Sequence, residues 1–149
     1  MLKDGFAAHE ASRYLCRMLR VSQLYIYPIK SMGGISVGKA HVTGRGFEYD
    51  RRWMLVDEYN LFLSQRQVHE MALMTAEITN AGLKVTYRPW NESLLIPFEP
   101  QTTEFAEVTI WDDTCRGQFV SPEADRWFSK MLGISCRLVY MPDDTHRVT

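Results

Sequence analysis

Three short polar and basic segments carry the residue types of an anion-binding site. They are residues 27–31 (Tyr-Pro-Ile-Lys-Ser), 49–53 (Tyr-Asp-Arg-Arg-Trp) and 64–67 (Ser-Gln-Arg-Gln). Each segment lies at the end of a predicted β-strand. If those ends meet in space, Lys30, Arg51 and Arg66 form a cationic cluster with Ser31 beside it. Arginine offers a planar fork and lysine a mobile point charge, so the cluster favours a phosphate group.

Each of these residues also has an ordinary structural interpretation. A lysine at a strand end is usually a solvated surface residue, and Arg51 could belong to a surface network with Asp50. Two neighbours favour a site at Lys30. Pro28 holds the backbone extended, and the glycines at 33 and 34 allow a ligand to approach the main chain closely.

Strand alternation makes a further prediction about the arginines. Arg51 would share a face with Trp53, and Arg52 would point the other way. A hairpin that pairs Val56 with Leu61 would set Arg51 opposite Arg66. Like charges facing each other across a hairpin cost about 0.2–1 kcal/mol. A bound anion or a nearby carboxylate must then offset the repulsion.

The strands that position these segments belong to a mainly β (α+β) fold. Turn signals and alternation predict an antiparallel β-barrel, with one C-terminal amphipathic helix at residues 122–132. Ser121 is the candidate N-cap and Gly133 the C-terminal stop. The predicted strands cover residues 21–27, 37–42, 52–57, 61–65, 71–79, 82–87, 93–96, 104–111 and 136–140.

Length and composition limit the function classes. The 149 residues predict one domain, at 21–147, after a disordered leader at 1–20. A net charge of −1 argues against nucleic acid as a partner. No apolar run reaches the roughly 18 residues of a membrane span, and no signal peptide is evident, so we expect no membrane partner and a cytoplasmic location. Three widely spaced cysteines predict reduced thiols and no structural zinc site.

Other motifs favour structural roles. Residues 33–40 nearly match the Walker A pattern, but Ala40 lacks the hydroxyl that would hold magnesium. Cys115 is predicted to lie in a turn at 112–117 and to be inert, since two acidic neighbours would be expected to disfavour its thiolate. Trp111, Trp127 and Phe128 are predicted core residues.

The three opening segments, in this order and at these separations, resemble the N-terminal β-barrel domain of MOSC proteins, the molybdenum cofactor sulfurase C-terminal type. That family includes the amidoxime-reducing components. The resemblance covers residues 21–147. It implies that Lys30, Ser31 and Arg51 contact molybdopterin, whose terminal phosphate suits the cationic cluster. Arg66 is a weaker candidate that rests on charge and placement alone.

The resemblance also sets expectations about function. In relatives a catalytic MOSC domain follows the barrel and supplies the cysteine thiolate that binds molybdenum. Here the catalytic domain is expected to be absent, because the chain stops where that domain would begin. We expect an accessory domain that clamps the phosphate of the molybdenum cofactor beside a MOSC domain in cis or in trans, without catalysis by the isolated chain and with no catalytic or metal-ligating residue of its own.

Two alternatives remain at this point. The chain could be half of a split or truncated molybdenum-dependent oxidoreductase or sulfur-transfer enzyme, with sulfur carried on Cys115 as one version. It could also be a protein-interaction β-barrel without a cofactor.

Overall fold

The computed structural model describes residues 20–145. The predicted leader at 1–20 lies outside the described residues except for Arg20. The strands are β1 (Leu24–Ile26), β2 (Ile35–Val37), β3 (Val42–Thr43), β4 (Gly46–Phe47), β5 (Trp53–Val56), β6 (Met74–Thr79), β7 (Gly82–Tyr87), β8 (Glu92–Ile96), β9 (Phe105–Ile110), β10 (Asp113–Phe119) and β11 (Arg137–Tyr140). A 3-10 helix spans His69–Leu73, and helix α1 spans Pro122–Leu132.

The predicted fold class is confirmed: the described chain is mainly antiparallel β with one α-helix. The largest sheet has the strand order β5-β11-β10-β9, and a second sheet has the order β6-β7-β8. β1 pairs with β2, and β3 pairs with β4, as separate two-stranded ribbons. The strands curl into a half-barrel.

Helix α1 begins and ends where local signals predicted. The Ser121 hydroxyl accepts a hydrogen bond from the Ala124 N–H at 3.1 Å, and Pro122 occupies the first turn. Gly133 adopts the left-handed conformation that terminates helices. The buried stripe of the helix is Ala124, Phe128, Met131 and Leu132. Trp127 is only partly buried against the same core.

Strand β5 of the four-stranded sheet is buried on both faces, whereas β9 and β10 alternate buried and exposed residues. In β5, Trp53 and Leu55 belong to the main core, which also contains Phe128 of α1. Their neighbours Met54 and Val56 belong to a second apolar cluster, on the face away from the helix. The remaining buried members of that cluster are Phe62, Val108, Ile110, Cys115, Phe119 and Val139. This second cluster lies next to the candidate site.

Several strand predictions were wrong at their ends or in type. The strand predicted at 37–42 is interrupted. β2 ends at Val37, β3 begins at Val42, and the four residues between them belong to neither strand. Residues 71–73 lie in a 3-10 helix, where the Met71 side chain is fully buried. The strand predicted at 61–65 is reduced to bridges at Leu61 and Phe62, because a turn starts at Ser64.

Two local predictions around β10 were also wrong. The turn between β9 and β10 consists of residues 111–112, since Asp113 already pairs with Ile110. Cys115 therefore lies within β10 and is buried, and it does not lie in a turn. Trp111, predicted to be core, is 58% exposed because it sits at the tip of this hairpin.

Over residues 20–145, no helix is long and apolar enough to cross a membrane.

Candidate functional site

Backbone hydrogen bonds join the first two polar segments directly. The Lys30 N–H donates to the Trp53 carbonyl at 2.8 Å, and the Trp53 N–H donates to the Pro28 carbonyl at 3.0 Å. The Arg51 N–H donates to the Tyr27 carbonyl at 2.9 Å. These bonds include a parallel bridge between Ile29 and Trp53. Lys30 and Arg51 are thus held together by main-chain pairing, which the sequence pattern did not predict.

A side chain completes this junction. Asp50 Oδ1 accepts a hydrogen bond from the Tyr27 N–H at 2.6 Å. The carboxylate therefore satisfies the main chain at the start of the first segment. Asp50 has a structural task here beyond any charge that it offers to Arg51.

The third segment forms a tight turn. The Ser64 carbonyl accepts from the N–H groups of Gln67 and Val68, at 2.9 and 3.0 Å. The Gln67 side-chain oxygen accepts from both the N–H and the hydroxyl of Ser64, at 3.0 Å each. Ser64 is buried, so these bonds satisfy polar atoms that water cannot reach. The turn leaves Gln65 and Arg66 exposed at its tip.

All four predicted site residues line one groove of about 350 Å³. Three of the lining side chains are cationic, and none is a carboxylate. Hydroxyl and amide groups add hydrogen-bond donors, and two aromatic rings contribute flat walls. The lining residues are Tyr27, Lys30, Ser31, Met32, Arg51, Ser64, Gln65, Arg66 and Trp111. We call this the cationic groove.

Three residues of the cationic groove have a backbone conformation that is unusual for residues other than glycine. The φ angles are +63° at Ser31, +53° at Arg51 and +58° at Trp111. Left-handed conformations at non-glycine residues are costly and concentrate at ligand sites. Arg51 also lies before the first residue of β5, so it is not part of the alternating strand that the sequence predicted.

Aromatic rings hold the two central cations. The Lys30 Nζ lies 4.9 Å from the centre of the Phe62 ring, and the Arg51 guanidinium lies 5.4 Å from the centre of the Tyr27 ring. Trp111 contacts Phe62 edge to face, with 5.7 Å between the ring centres. Cation–π contacts leave the polar edges of both cations able to meet an anion.

The predicted pairing of Arg51 with Arg66 was wrong. Val56 pairs with Phe62, one residue away from the predicted register. The turn at Ser64 then ends the hairpin before Arg66 is reached. Arg66 reaches the cationic groove from a turn, so direct cross-strand repulsion with Arg51 does not arise.

Arg52 points to a different place from Arg51. Its guanidinium donates to the Tyr140 hydroxyl at 2.7 Å and forms an ion pair with Asp143 at 2.5 Å. Burial alone lowers the pKa of Arg52, but the bonds to Tyr140 and Asp143 outweigh it and raise the pKa overall. Arg52 therefore stabilises the end of the described chain and is not part of the cationic groove.

Two residues that line the groove were not predicted from the sequence: Tyr27 and Trp111. Tyr27 was noted only as the start of a polar segment, and Trp111 was placed in the core. The positive φ of Trp111 depends on the hairpin that holds it, and composition carries no signal for that. Alternation within β9 could have indicated exposure, because Ile110 is buried and the next position points the other way.

Comparison with known proteins identifies the family. The family model for the MOSC N-terminal beta barrel domain matches residues 18–135. The chain belongs to this family. The MOSC N-terminal domain is also similar over 86% of its length to mitochondrial amidoxime-reducing component 1 of Mus musculus, with 32% identity. It is 27% identical to molybdenum cofactor sulfurase of Homo sapiens over 85% of its length.

The chain spans only part of these relatives: 39% of the mouse protein and 15% of the human sulfurase. A protein of Bordetella bronchiseptica solved in solution has a similar fold. That match has a TM-score of 0.57 and 18% identity, and it covers 75% of this chain and 95% of the other. The family-model match confirms that the family was recognised correctly from the three polar segments.

No group of three or more His, Cys, Asp and Glu side chains that could hold a metal ion occurs within residues 20–145. Cys115 does not line the cationic groove.

Proposed function

We propose that this MOSC N-terminal domain supplies one side of a molybdenum-cofactor site and is not catalytic alone. In this proposal Lys30, Ser31 and Arg51 clamp the terminal phosphate of molybdopterin, and Arg66 makes a weaker contribution at the rim. The observation that carries the proposal is the cationic groove, in which three cations and no carboxylate meet in a member of this family.

The groove fits the phosphate end of the cofactor. Arg51 offers a fork that suits two phosphate oxygens, and Lys30 and Ser31 offer further donors. Tyr27 and Trp111 provide aromatic surface for a flat ring system. The lining contains no thiol, so a metal ligand has to come from elsewhere. When bound, the molybdenum would supply the redox or sulfur-transfer chemistry.

The proposed partner is a catalytic MOSC domain, in cis or in trans. Two large, exposed aromatic side chains line the groove itself: Tyr27 and Trp111. A partner that covers them would exclude water from the groove and strengthen each ionic contact within it. The same side chains are what a protein-interaction barrel without a cofactor would offer. Cofactor retention by the reconstituted pair separates the two functions.

The test compares arginine-to-lysine changes in a full-length relative rebuilt with this domain. Arg51→Lys replaces a fork with a point charge at a proposed contact. We expect molybdopterin retention to fall by about tenfold, since one charge-assisted hydrogen bond is worth about 1.5–3 kcal/mol. Arg126→Lys is the matched control, because Arg126 is exposed on α1 and outside the groove. Arg45 is a poorer control, since it bonds the main chain at Pro142 and Asp143.

Equal retention by the Arg51 and Arg126 variants would reduce Arg51 to a surface charge and contradict the clamp. A salt titration gives a second readout. Because the groove is open to solvent, added salt should weaken binding of the phosphate end before a partner covers it.

A further inference from the structure

A second cavity, of about 180 Å³, lies next to the cationic groove. Its walls come from strands β5, β9, β10 and β11, on the face of the sheet that α1 does not cover. Most of the lining is apolar. It includes Met54, Val108, Ile110, Val139 and Met141. We call it the interior cavity.

Two cations are shared between the interior cavity and the cationic groove. Lys30 and Arg51 line both, whereas Arg66 lines only the groove and Arg116 lines only the cavity. Arg51 is exposed and Lys30 is half-buried, while Val108 and Ile110 are buried. Arg116 is exposed as well, so the three cations mark the solvent side of the cavity, and the aliphatic side chains mark its inner end.

The position of the Lys30 ammonium supports this arrangement. It lies 4.9 Å from the centre of the Phe62 ring. Phe62 belongs to the same apolar cluster as Met54, Val108 and Val139. The lysine thus places a positive charge at the edge of an apolar space, and no carboxylate lines that space. Such a combination selects a ligand with an apolar body and an anionic head.

We propose that the interior cavity binds a small aromatic carboxylate, with its ring among the aliphatic side chains and its carboxylate at Lys30 and Arg51. The size of the cavity sets the size of the ring. An apolar cavity of about 150 Å³ in another protein accommodates benzene. One six-membered ring fits a space of about 180 Å³, and a fused three-ring system does not.

The proposal does not depend on cofactor binding in the cationic groove. The two sites share Lys30 and Arg51, so a phosphate in the groove and a carboxylate in the cavity should compete. Competition has to be reciprocal: each ligand weakens the other by the same factor. A change at Arg66 should therefore affect only the groove, and a change at Val108 only the interior cavity.

The first experiment uses a ligand series with the unchanged chain, followed by NMR of methyl groups. Benzoate should shift the methyl signals of Val108, Ile110 and Val139 and should bind in a saturable manner. Acetate has the head without the ring, benzyl alcohol has the ring without the charge, and anthracene carboxylate is too large. Each of these three should bind at least ~10-fold more weakly than benzoate, because each lacks one element of the fit.

The second experiment uses variants. Lys30→Gln should weaken benzoate binding by ~10-fold or more, through loss of a charge-assisted bond. Lys84→Gln removes one charge from an exposed position on β7, outside the cavity, and should leave binding unchanged. Val108→Phe fills the cavity and should abolish benzoate binding. Arg66→Gln should weaken pyrophosphate in the groove and spare benzoate.

Several results would overturn the proposal. Anthracene carboxylate or acetate binding as tightly as benzoate would show adsorption on the surface. Equal effects of the Lys30 and Lys84 changes would show a general charge effect. If Val108→Phe does not fold, the ligand-size series alone still decides the matter. Loss of pyrophosphate binding in Arg66→Gln, together with no benzoate binding in the unchanged chain, would refute the interior site and leave the groove intact.

Discussion

At the scale of single residues, the most informative feature is the left-handed backbone at Ser31, Arg51 and Trp111. Each of these side chains lines the cationic groove, and each holds a conformation that glycine would adopt at lower cost. The hydrogen bonds between residues 27–30 and 51–53 hold the backbone of Arg51 in this conformation. A strained residue kept in this way suggests that the side chain is needed where it stands.

The strain at Arg51 predicts that a glycine variant is more stable than an alanine variant, the reverse of the usual order. Arg51→Gly and Arg51→Ala both remove the guanidinium, but only glycine is comfortable at a φ of +53°. We expect the glycine variant to have the larger free energy of unfolding, by about 1 kcal/mol. Urea denaturation measures the difference.

Arg66 provides the control for this pair, since it does not have a positive φ. There Arg66→Ala should be at least as stable as Arg66→Gly, because glycine loses more chain entropy on folding. The same order of stability at both positions would argue that the Arg51 backbone is not strained.

The buried thiol of Cys136 predicts a pH effect at the residue scale. Burial raises its pKa to about 11; the bond with Ser129 opposes the shift, and Asp125 adds to it. An unfolded thiol titrates near 9, so the unfolded chain loses this proton first as the pH rises. The thiol should therefore stabilise the fold fully below pH ~9 and lose that effect between about pH 9 and 11.

The measurement is the free energy of unfolding of the unchanged chain and of Cys136→Ala across this range. The stability gap between them should shrink by ~2 kcal/mol from pH 9 to 11, because each pKa unit is worth about 1.4 kcal/mol. A constant gap would mean that the thiol does not titrate with the raised pKa. Other groups that titrate in this range are common to both proteins and cancel.

At the scale of elements, local signals predicted α1 well and the strand ends poorly. Helix α1 carries its own cap, first-turn proline and terminating glycine, so residues 121–133 suffice to define it. Strands depend on partners that are distant in sequence. Cys115 was assigned to a turn because polar residues surround it, yet it pairs with Val108 across the sheet.

The same contrast applies to the candidate site. Residue types and motif order were enough to single out Lys30, Ser31, Arg51 and Arg66, and the structure places all four at one groove. The means of assembly was not predictable. A parallel bridge between residues 29 and 53 and a turn locked by the Gln67 side chain are both tertiary features. Short polar segments carry no periodicity that would reveal them.

A carboxylate in the first turn of α1 links that helix to the sheet. Asp125 accepts from the Leu138 N–H and from Arg137 Nε, both at 2.8 Å. Asp125→Ala would leave a buried N–H without its partner and should cost about 2–4 kcal/mol. Glu123→Ala is the control, because Glu123 lies in the same turn but is exposed. It should cost no more than about 0.5 kcal/mol. Chemical denaturation of both variants gives the comparison, and similar losses would show that only the helix dipole matters.

At the scale of the whole molecule, the half-barrel places an apolar interior cavity and an open cationic groove side by side. Helix α1 closes one face of the main sheet, and the other face carries the second apolar cluster. The groove is lined by exposed residues, including Arg51, Arg66 and Trp111. Charges that are open to water on one side bind anions weakly, because solvent and salt screen them.

This openness predicts that the domain needs its partner for tight cofactor binding. The isolated chain should retain molybdopterin weakly and show no molybdenum-dependent reduction of N-hydroxylated substrates. Its groove offers a few charge-assisted bonds, each worth about 1.5–3 kcal/mol and less when exposed. Adding a MOSC domain in trans should restore tight retention, because in our proposal the partner would bury the pterin and supply a thiolate for the metal.

The assay measures molybdenum content and substrate turnover for the chain alone, for the MOSC domain alone and for the mixture. A Lys30→Gln chain serves as the control for the mixture, since it keeps the exposed Tyr27 and Trp111 and loses a proposed phosphate contact. Retention by the mixture that is unaffected by Lys30→Gln would indicate docking without the clamp. Stoichiometric molybdenum or clear turnover in the chain alone would overturn the accessory role. Cys115 would then become the candidate metal ligand within the described residues, because its thiol lines the interior cavity together with Lys30.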